Sequence, residues 1–196
     1  MVAENIRKRK LLITLLIITV VSFLLGVLFI SVLSDANQKL IRTSINGYFD
    51  GISKNKMDYL KCLYSVLTSN LLIGSFIWII GISIIGIFFV VGILVFRSFL
   101  LGFSFTSILY TYGFKGIFIG LIYILPEVIG LFIIFLLSYY SISFSILLFN
   151  HLFRKKDYNK KVIVSRYLKL LLLSMIGLIL VSLVSVFVIP NILRIF

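Results

Sequence analysis

The most constraining feature of this sequence is an 80-residue stretch, Asn70 to Phe149, that carries only three charged side chains. These are Arg97, Lys115 and Glu127, and most of the remainder is Ile, Leu, Phe, Val, Gly and Ser. A soluble domain of this size could not stay dissolved, because its surface needs polar side chains that this stretch lacks. Hydrophobic residues make up 61% of the 196-residue chain. The sequence therefore predicts an integral membrane protein.

The apolar runs are continuous and do not alternate every second residue, which favours helices over a β-barrel. We therefore predict a single all-α membrane domain with about five transmembrane helices. The predicted spans are span 1 at 11–33, span 2 at 67–95, span 3 at 98–113, a fourth segment at 116–150 and span 5 at 170–189. Span 3 is short, which leaves open whether it crosses the bilayer or re-enters on the same side.

The fourth segment is too long for one ordinary span. As a single helix it would reach about 52 Å, against a hydrocarbon core of about 30 Å. Pro126 divides it, since proline removes a helical hydrogen bond. We expect a broken segment in one of two forms: a half-helix or surface piece at 116–125 before a span at 128–149, or one strongly kinked helix that projects into the cytoplasm.

Residues 34–66 form the sizeable polar segment. Apolar side chains between Leu40 and Ile52 recur at three- and four-residue steps, and a second such stretch begins at Met57, so we predict amphipathic helices at the outer membrane surface. Lys54, Lys56 and Lys61 would face water or headgroups. This segment is either the docking surface for an outside protein or a covering loop without a partner.

The net charge of +13 is distributed along the chain at the ends of apolar segments. Four cations precede span 1 and seven lie in the predicted cytoplasmic loop at 151–169. This pattern indicates positive-inside topology and contact with the lipid bilayer, with a cytoplasmic N-terminus and an extracytoplasmic C-terminus. No nucleic-acid partner is expected, because the cations do not form one soluble basic domain.

Catalytic chemistry is difficult to assemble from these residues. The chain has one histidine, one cysteine and six scattered acidic residues, without paired carboxylates, metal-ligand spacing or a phosphate-binding glycine motif. We therefore expect a non-enzymatic protein with no cofactor and no metal.

Glu127 is the main polar candidate, because a carboxylate at bilayer depth costs a few kcal/mol unless it is protonated, paired or hydrated. Three roles remain open: a structural contact with Asn70, Arg97 or a hydroxyl on another helix, a contact with headgroups, or a proton or solute site. The last role, with Pro126 and the short span 3, corresponds to an alternative function as a small solute or proton transporter or channel. Gly102 belongs to a Ser98, Gly102 and Thr106 repeat that would let helices approach closely.

Three motifs carry a family resemblance: residues 70–87, which begin Asn-Leu-Leu-Ile-Gly-Ser-Phe-Ile-Trp, residues 96–104, which read Phe-Arg-Ser-Phe-Leu-Leu-Gly-Phe-Ser, and Leu125-Pro126-Glu127. In these runs and in its layout the chain resembles the stage II sporulation protein M family. The resemblance implies a bacterial polytopic scaffold at the septal membrane that acts during engulfment in endospore formation. It implies stage II sporulation proteins D and P as peptidoglycan-degrading partners, to which the catalysis belongs. The sequence does not determine whether copies of the chain associate into a homo-oligomer.

Overall fold

The computed structural model describes residues 2–54, 57–154 and 160–194, and within these ranges the fold is helical without strands. Its helices are α1 (Val2–Phe29), α2 (Asp35–Ser53), α3 (Tyr59–Ile80), α4 (Gly86–Tyr112), α5 (Phe114–Arg154), α6 (Lys160–Leu183) and α7 (Ile189–Leu193). A 3-10 turn at Ile30–Val32 follows α1, and a π-helical turn at Val184–Val188 joins α6 to α7. Five stretches are long and apolar enough to cross a membrane. The prediction of an all-α membrane protein with five spans is therefore confirmed.

The boundary between spans 2 and 3 was predicted wrongly. Span 2 was expected to continue to residue 95, but α3 ends at Ile80 and α4 begins at Gly86. Arg97, which the predicted bounds placed between spans 2 and 3, is the twelfth residue of α4. Span 3 is consequently a 27-residue helix, long enough to cross fully, and not a short or re-entrant segment.

The helix break at 81–85 is bonded by side chains of α5 and α6. The hydroxyl of Ser141 donates to the Ile77 carbonyl at 3.0 Å, and that of Tyr167 donates to the Trp78 carbonyl at 2.9 Å. The Trp78 carbonyl lacks its helical donor, because the Ile82 amide bonds Ile79 instead, and Tyr167 replaces that donor. The Ile77 carbonyl accepts from the Gly81 amide as well as from Ser141. A Cβ at Gly81 would overlap the Ser141 side chain, so the glycine is needed for this capping.

Of the two forms expected for the fourth segment, only the single helix is compatible with the structure, because Pro126 lies inside the continuous 41-residue helix α5. The half-helix interpretation is thereby excluded. The basic segment 151–169 is largely helical where it is described, since α5 continues to Arg154 and α6 starts at Lys160. A helix can therefore extend beyond its apolar residues, because its backbone hydrogen bonds do not depend on the polarity of the side chains. Pro190, which directly follows the predicted span 5 at 170–189, likewise does not end the helical structure, because it occupies the first turn of α7, where proline is tolerated.

Helices α4 and α5 form the centre of the bundle, with α1 packed on α4, and α6 packed on both α3 and α5. The main core is formed by aliphatic side chains from α1, α3, α4, α5 and α6, among them Leu15, Ile77, Leu94, Leu137 and Leu178. A smaller core lies beneath α2, where Ile52 meets Ile189 and Leu193 of α7.

Two glycines allow the backbones of α1 and α4 to touch. A Cβ at Gly102 would overlap the carbonyl oxygen of Phe23, and it would lie 3.1 Å from the amide nitrogen of Val27. A Cβ at Gly26 would overlap the carbonyl oxygen of Phe99 in the same way. Because backbone atoms cannot move aside as a side-chain tip can, these positions require glycine.

Helix α2 is fastened to the bundle near both of its ends. Near its start, the Arg42 guanidinium donates to the Tyr110 carbonyl at 3.2 Å, and the Tyr110 hydroxyl donates to Gln38 at 2.7 Å. Near its end, Arg194 donates to the Ile52 carbonyl at 3.1 Å. The amphipathic helix predicted from the sequence is thus a fixed part of the fold.

We predict that Gly102→Ala destabilises the protein by about 1–3 kcal/mol, because the added methyl group has to separate two helix backbones. Gly92→Ala in the same helix is the matched control, since a Cβ there meets no atom within 4 Å. Unfolding of the purified variants in detergent measures the difference. Equal midpoints for the two variants would contradict the close approach.

Candidate functional site

A chain of hydrogen bonds crosses the middle of the bundle. The Arg97 guanidinium on α4 donates to the Asn70 side-chain oxygen on α3 at 2.9 Å. The Asn70 amide donates to the Ser182 hydroxyl on α6 at 3.0 Å, and Ser182 donates to the Leu178 carbonyl at 2.8 Å. Three helices are therefore joined by polar groups at a depth where water is scarce.

Arg97 remains only partly satisfied by this chain. Its Nε atom is buried and has no hydrogen-bond partner within the described structure. Asn70 is a neutral acceptor, so the positive charge is not neutralised by it. A buried guanidinium nitrogen without a partner is unusual, because the cost of removing it from water is then not recovered.

Glu127 faces the same space from α5. In the part of the chain that the structure describes, its carboxylate forms no direct hydrogen bond or ion pair, and it is partly buried. Arg97 and Glu127 are opposite charges that act on each other across a gap. The predicted candidates Asn70, Arg97 and Glu127 thus come together, but Glu127 is not a direct member of the hydrogen-bonded chain.

The gap between them is a cavity of about 220 Å³. Arg97 and Glu127 are its charged lining residues, and Asn70, Ser104 and Tyr123 add polar groups. Aliphatic side chains complete the wall: Leu100, Leu101, Ile124, Leu131, Ile134 and Val181. The cavity therefore combines a cation, a carboxylate and neutral polar groups inside a mostly apolar wall.

Pro126 is buried immediately beside Glu127. Because proline has no N–H, the carbonyl of Ile122 one turn earlier lacks its helical donor. The proline therefore leaves a backbone carbonyl of α5 without its helical donor, about one turn before Glu127.

A second, more apolar groove of about 380 Å³ lies between α2 and the bundle. It shares Ser104 and Tyr123 with the charged cavity, so the two spaces adjoin. Tyr48 of α2 packs edge-on against Tyr123, with ring centroids 6.1 Å apart. Burial, with a smaller contribution from Tyr123, raises the pKa of the Tyr48 hydroxyl above its ordinary value.

The other predicted site residues lie away from this cavity. Gly102 is at the α1–α4 contact. Lys54 is exposed after α2 and pairs with Asp50 at 3.2 Å, and Lys61 is exposed in the first turn of α3. Lys56 lies outside the described residues.

Sequence reasoning missed Ser182, Ser104 and Tyr123 as members of the site. Serine and tyrosine are frequent throughout the chain, and in an apolar helix serine often bonds its own backbone. Ser182 does so as well, through Leu178. The contact with Asn70 joins residues 112 positions apart, and no local pattern indicates such a pair.

These features define a multi-pass helical membrane protein whose bundle encloses a charged cavity. The described residues include no group of three or more His, Cys, Asp or Glu side chains that could hold a metal. The family model described as stage II sporulation protein M matches residues 15–190. The chain therefore belongs to the stage II sporulation protein M family, which confirms the resemblance found in its sequence motifs.

Family membership indicates a sporulation-related membrane protein, and with the helical fold it is consistent with a non-catalytic role. Comparison with curated proteins and with solved structures finds no match to this chain.

We predict that Ser182→Ala destabilises the protein by about 1–2 kcal/mol, because it leaves the buried Asn70 amide without its acceptor. Ser185→Ala is the matched control, since the buried Ser185 hydroxyl has no partner in the described structure and its loss should change stability by less than about 0.5 kcal/mol. Unfolding midpoints in detergent distinguish the two. If Ser185→Ala lowered the stability as much as Ser182→Ala, the result would argue against a stabilising hydrogen bond between Asn70 and Ser182.

Proposed function

We propose that this protein is a non-enzymatic membrane scaffold that recruits peptidoglycan-degrading proteins to the septal membrane during engulfment in endospore formation. Stage II sporulation proteins D and P are the proposed partners. Family membership supports the connection to sporulation. In this proposal the partners break peptidoglycan, and the scaffold supplies their position in the membrane.

The observation that carries the proposal is the fixed attachment of α2. The helix is bonded to Tyr110 of α4 near one end and to Arg194 after α7 near the other. A loose loop would lose conformational entropy on binding a partner, whereas a fixed surface has already lost it. Helix α2 and the start of α3 therefore have the rigidity that a docking surface needs.

The charge of this surface supports recruitment of an acidic partner patch. Lys39 is exposed on α2, Lys54 follows that helix, and Lys61 lies on the first turn of α3. Lys54 is partly neutralised by Asp50, so Lys61 contributes more of the free positive charge. Charges at the rim of an interface mainly set the association rate and orientation of the partner.

We predict that reversing Lys54, Lys56 and Lys61 to Glu weakens recovery of the cell-wall hydrolases by about tenfold, through loss of electrostatic complementarity. The measurement is quantitative co-purification with the tagged protein from sporulating cells. Lys169→Glu is the control, because Lys169 is an exposed cation on α6, close to Tyr167, which bonds Trp78 at the opposite end of α3 from Lys61. An unchanged complex in the triple variant would remove this docking surface. Recovery of no hydrolase by the unaltered protein would count against the scaffold itself.

The proposal requires α2 outside the cell membrane, with a cytoplasmic N-terminus and an extracytoplasmic C-terminus. In a Cys62→Ser background, Asp35→Cys at the start of α2 should then react with a membrane-impermeant maleimide in intact cells. Ile84→Cys, in the exposed break between α3 and α4, should react only after permeabilisation. The opposite labelling pattern would invert the orientation and place α2 in the cytoplasm.

A further inference from the structure

The charged cavity contains two binding functions that are not satisfied within the described residues. Arg97 lines the cavity with a guanidinium that bonds the neutral Asn70 oxygen and no carboxylate, and Glu127 lines it with a carboxylate that has no direct bond. The scaffold role does not use either group. Both lie in the interior of long apolar helices, where each charge is costly.

Arg97 is deep in the bundle. Eleven residues of α4 precede it and fifteen follow it, so it lies about 16 Å and 22 Å from the two helix ends. Glu127 is likewise the fourteenth residue of a 41-residue helix. At this depth an opposite charge that makes no direct contact compensates only part of the cost of burying either group.

The space has the size of a small solute. A volume of 220 Å³ corresponds to roughly seven waters at about 30 Å³ each. Asn70, Ser104 and Tyr123 provide further polar groups around it, and aliphatic side chains form most of the rest of its wall. The cavity is therefore suited to a small polar molecule.

Charge balance selects the class of molecule. An anion alone would neutralise Arg97 but would add repulsion with Glu127, and a cation alone would have the reverse effect. A zwitterion places its anionic group at Arg97 and its ammonium group at Glu127, and it adds no net charge to a low-dielectric site. Both charged residues then gain charge-assisted hydrogen bonds.

We propose that this cavity is a binding site for a small zwitterion that carries an ammonium group and a carboxylate, the class of a simple amino acid. Its anionic group contacts the Arg97 guanidinium, and its ammonium group contacts the Glu127 carboxylate. The solute reaches the cavity from the α2 side, because the groove beneath α2 shares Ser104 and Tyr123 with it. Binding requires neither the scaffold role nor transport, although it fits the transporter alternative predicted from Glu127 and Pro126.

The test measures thermal stability of the purified full-length protein in lipid nanodiscs, because a ligand that binds the folded state raises the unfolding midpoint. Fluorescence of the single tryptophan, Trp78, follows unfolding. The probes are glycine, alanine and β-alanine, with propionate as an anion lacking the amine and ethylammonium as a cation lacking the carboxylate. We expect saturable stabilisation by at least one zwitterion, with an affinity at least about tenfold higher than that of either singly charged probe.

Substitution of Glu127 or of Arg97 by glutamine should change the preferred probe from a zwitterion to a singly charged molecule. Glu127→Gln removes the partner of the ammonium group, so it should bind propionate better than alanine. Arg97→Gln should bind ethylammonium better than alanine, and Arg97→Lys, which keeps the charge, supplies a second variant if Arg97→Gln fails to fold. Lysine has a single ammonium group in place of the guanidinium, so Arg97→Lys should bind alanine more weakly than the unaltered protein does. The variant should still bind alanine better than it binds ethylammonium. Lys115→Gln and Asp35→Asn, at exposed charges, should behave as the unaltered protein does.

Absence of saturable stabilisation by all three zwitterions would overturn the proposal. A Glu127→Gln variant that still prefers alanine to propionate would also overturn it, because Glu127 would then not contact the ammonium group. Loss of hydrolase recruitment has no bearing on either result, so failure here and failure of the scaffold proposal are distinguishable.

Discussion

The guanidinium of Arg97 is the constraint on which the arrangement of the bundle depends. A charged group in the interior of a membrane helix needs polar partners, and they have to come from other helices because the bilayer core supplies no water. Asn70 supplies one and is itself held by Ser182. The register of α3 against α4 and α6 therefore follows from one charged side chain.

Apolar contacts between the helices stabilise the bundle in a different way from the hydrogen bonds of Arg97, Asn70 and Ser182. Lipid tails are as apolar as leucine, so burying Leu or Ile against another helix gains little that the bilayer does not already offer. Close backbone approach gains dispersion contacts instead. Gly26 and Gly102 provide it between α1 and α4, whereas the polar chain holds α3, α4 and α6.

Much of the architecture was predictable, because the hydrophobic effect acts on composition and length. Membrane insertion, five spans and the amphipathic segment followed from the apolar runs and their periodicity. The break at 81–85 did not, since its residues are mostly isoleucine and hydropathy does not distinguish them from helix. Its cause lies in Ser141 and Tyr167, which bond the carbonyls at the end of α3 from far along the chain.

The half-helix expected before Pro126 shows the opposite error. Local chemistry predicts a break, because a proline inside a helix removes one hydrogen bond. Elsewhere α5 keeps its backbone bonds, and packing against α4 and α6 holds the helix continuous through the proline. In a bilayer a full break would leave several backbone groups without partners, which costs more than the single bond that proline removes.

The sequence by itself determined that the chain enters a membrane, that it does so as helices, and that Asn70, Arg97 and Glu127 are exceptional within them. These conclusions depend only on transfer of side chains from water to lipid, which is a property of each residue. Tertiary structure decided which of these groups bond and which remain apart. Arg97 bonds Asn70 but not Glu127, because helix register and the separation of α4 from α5 set those distances. The cavity between the charges is thus a property of the assembled bundle alone.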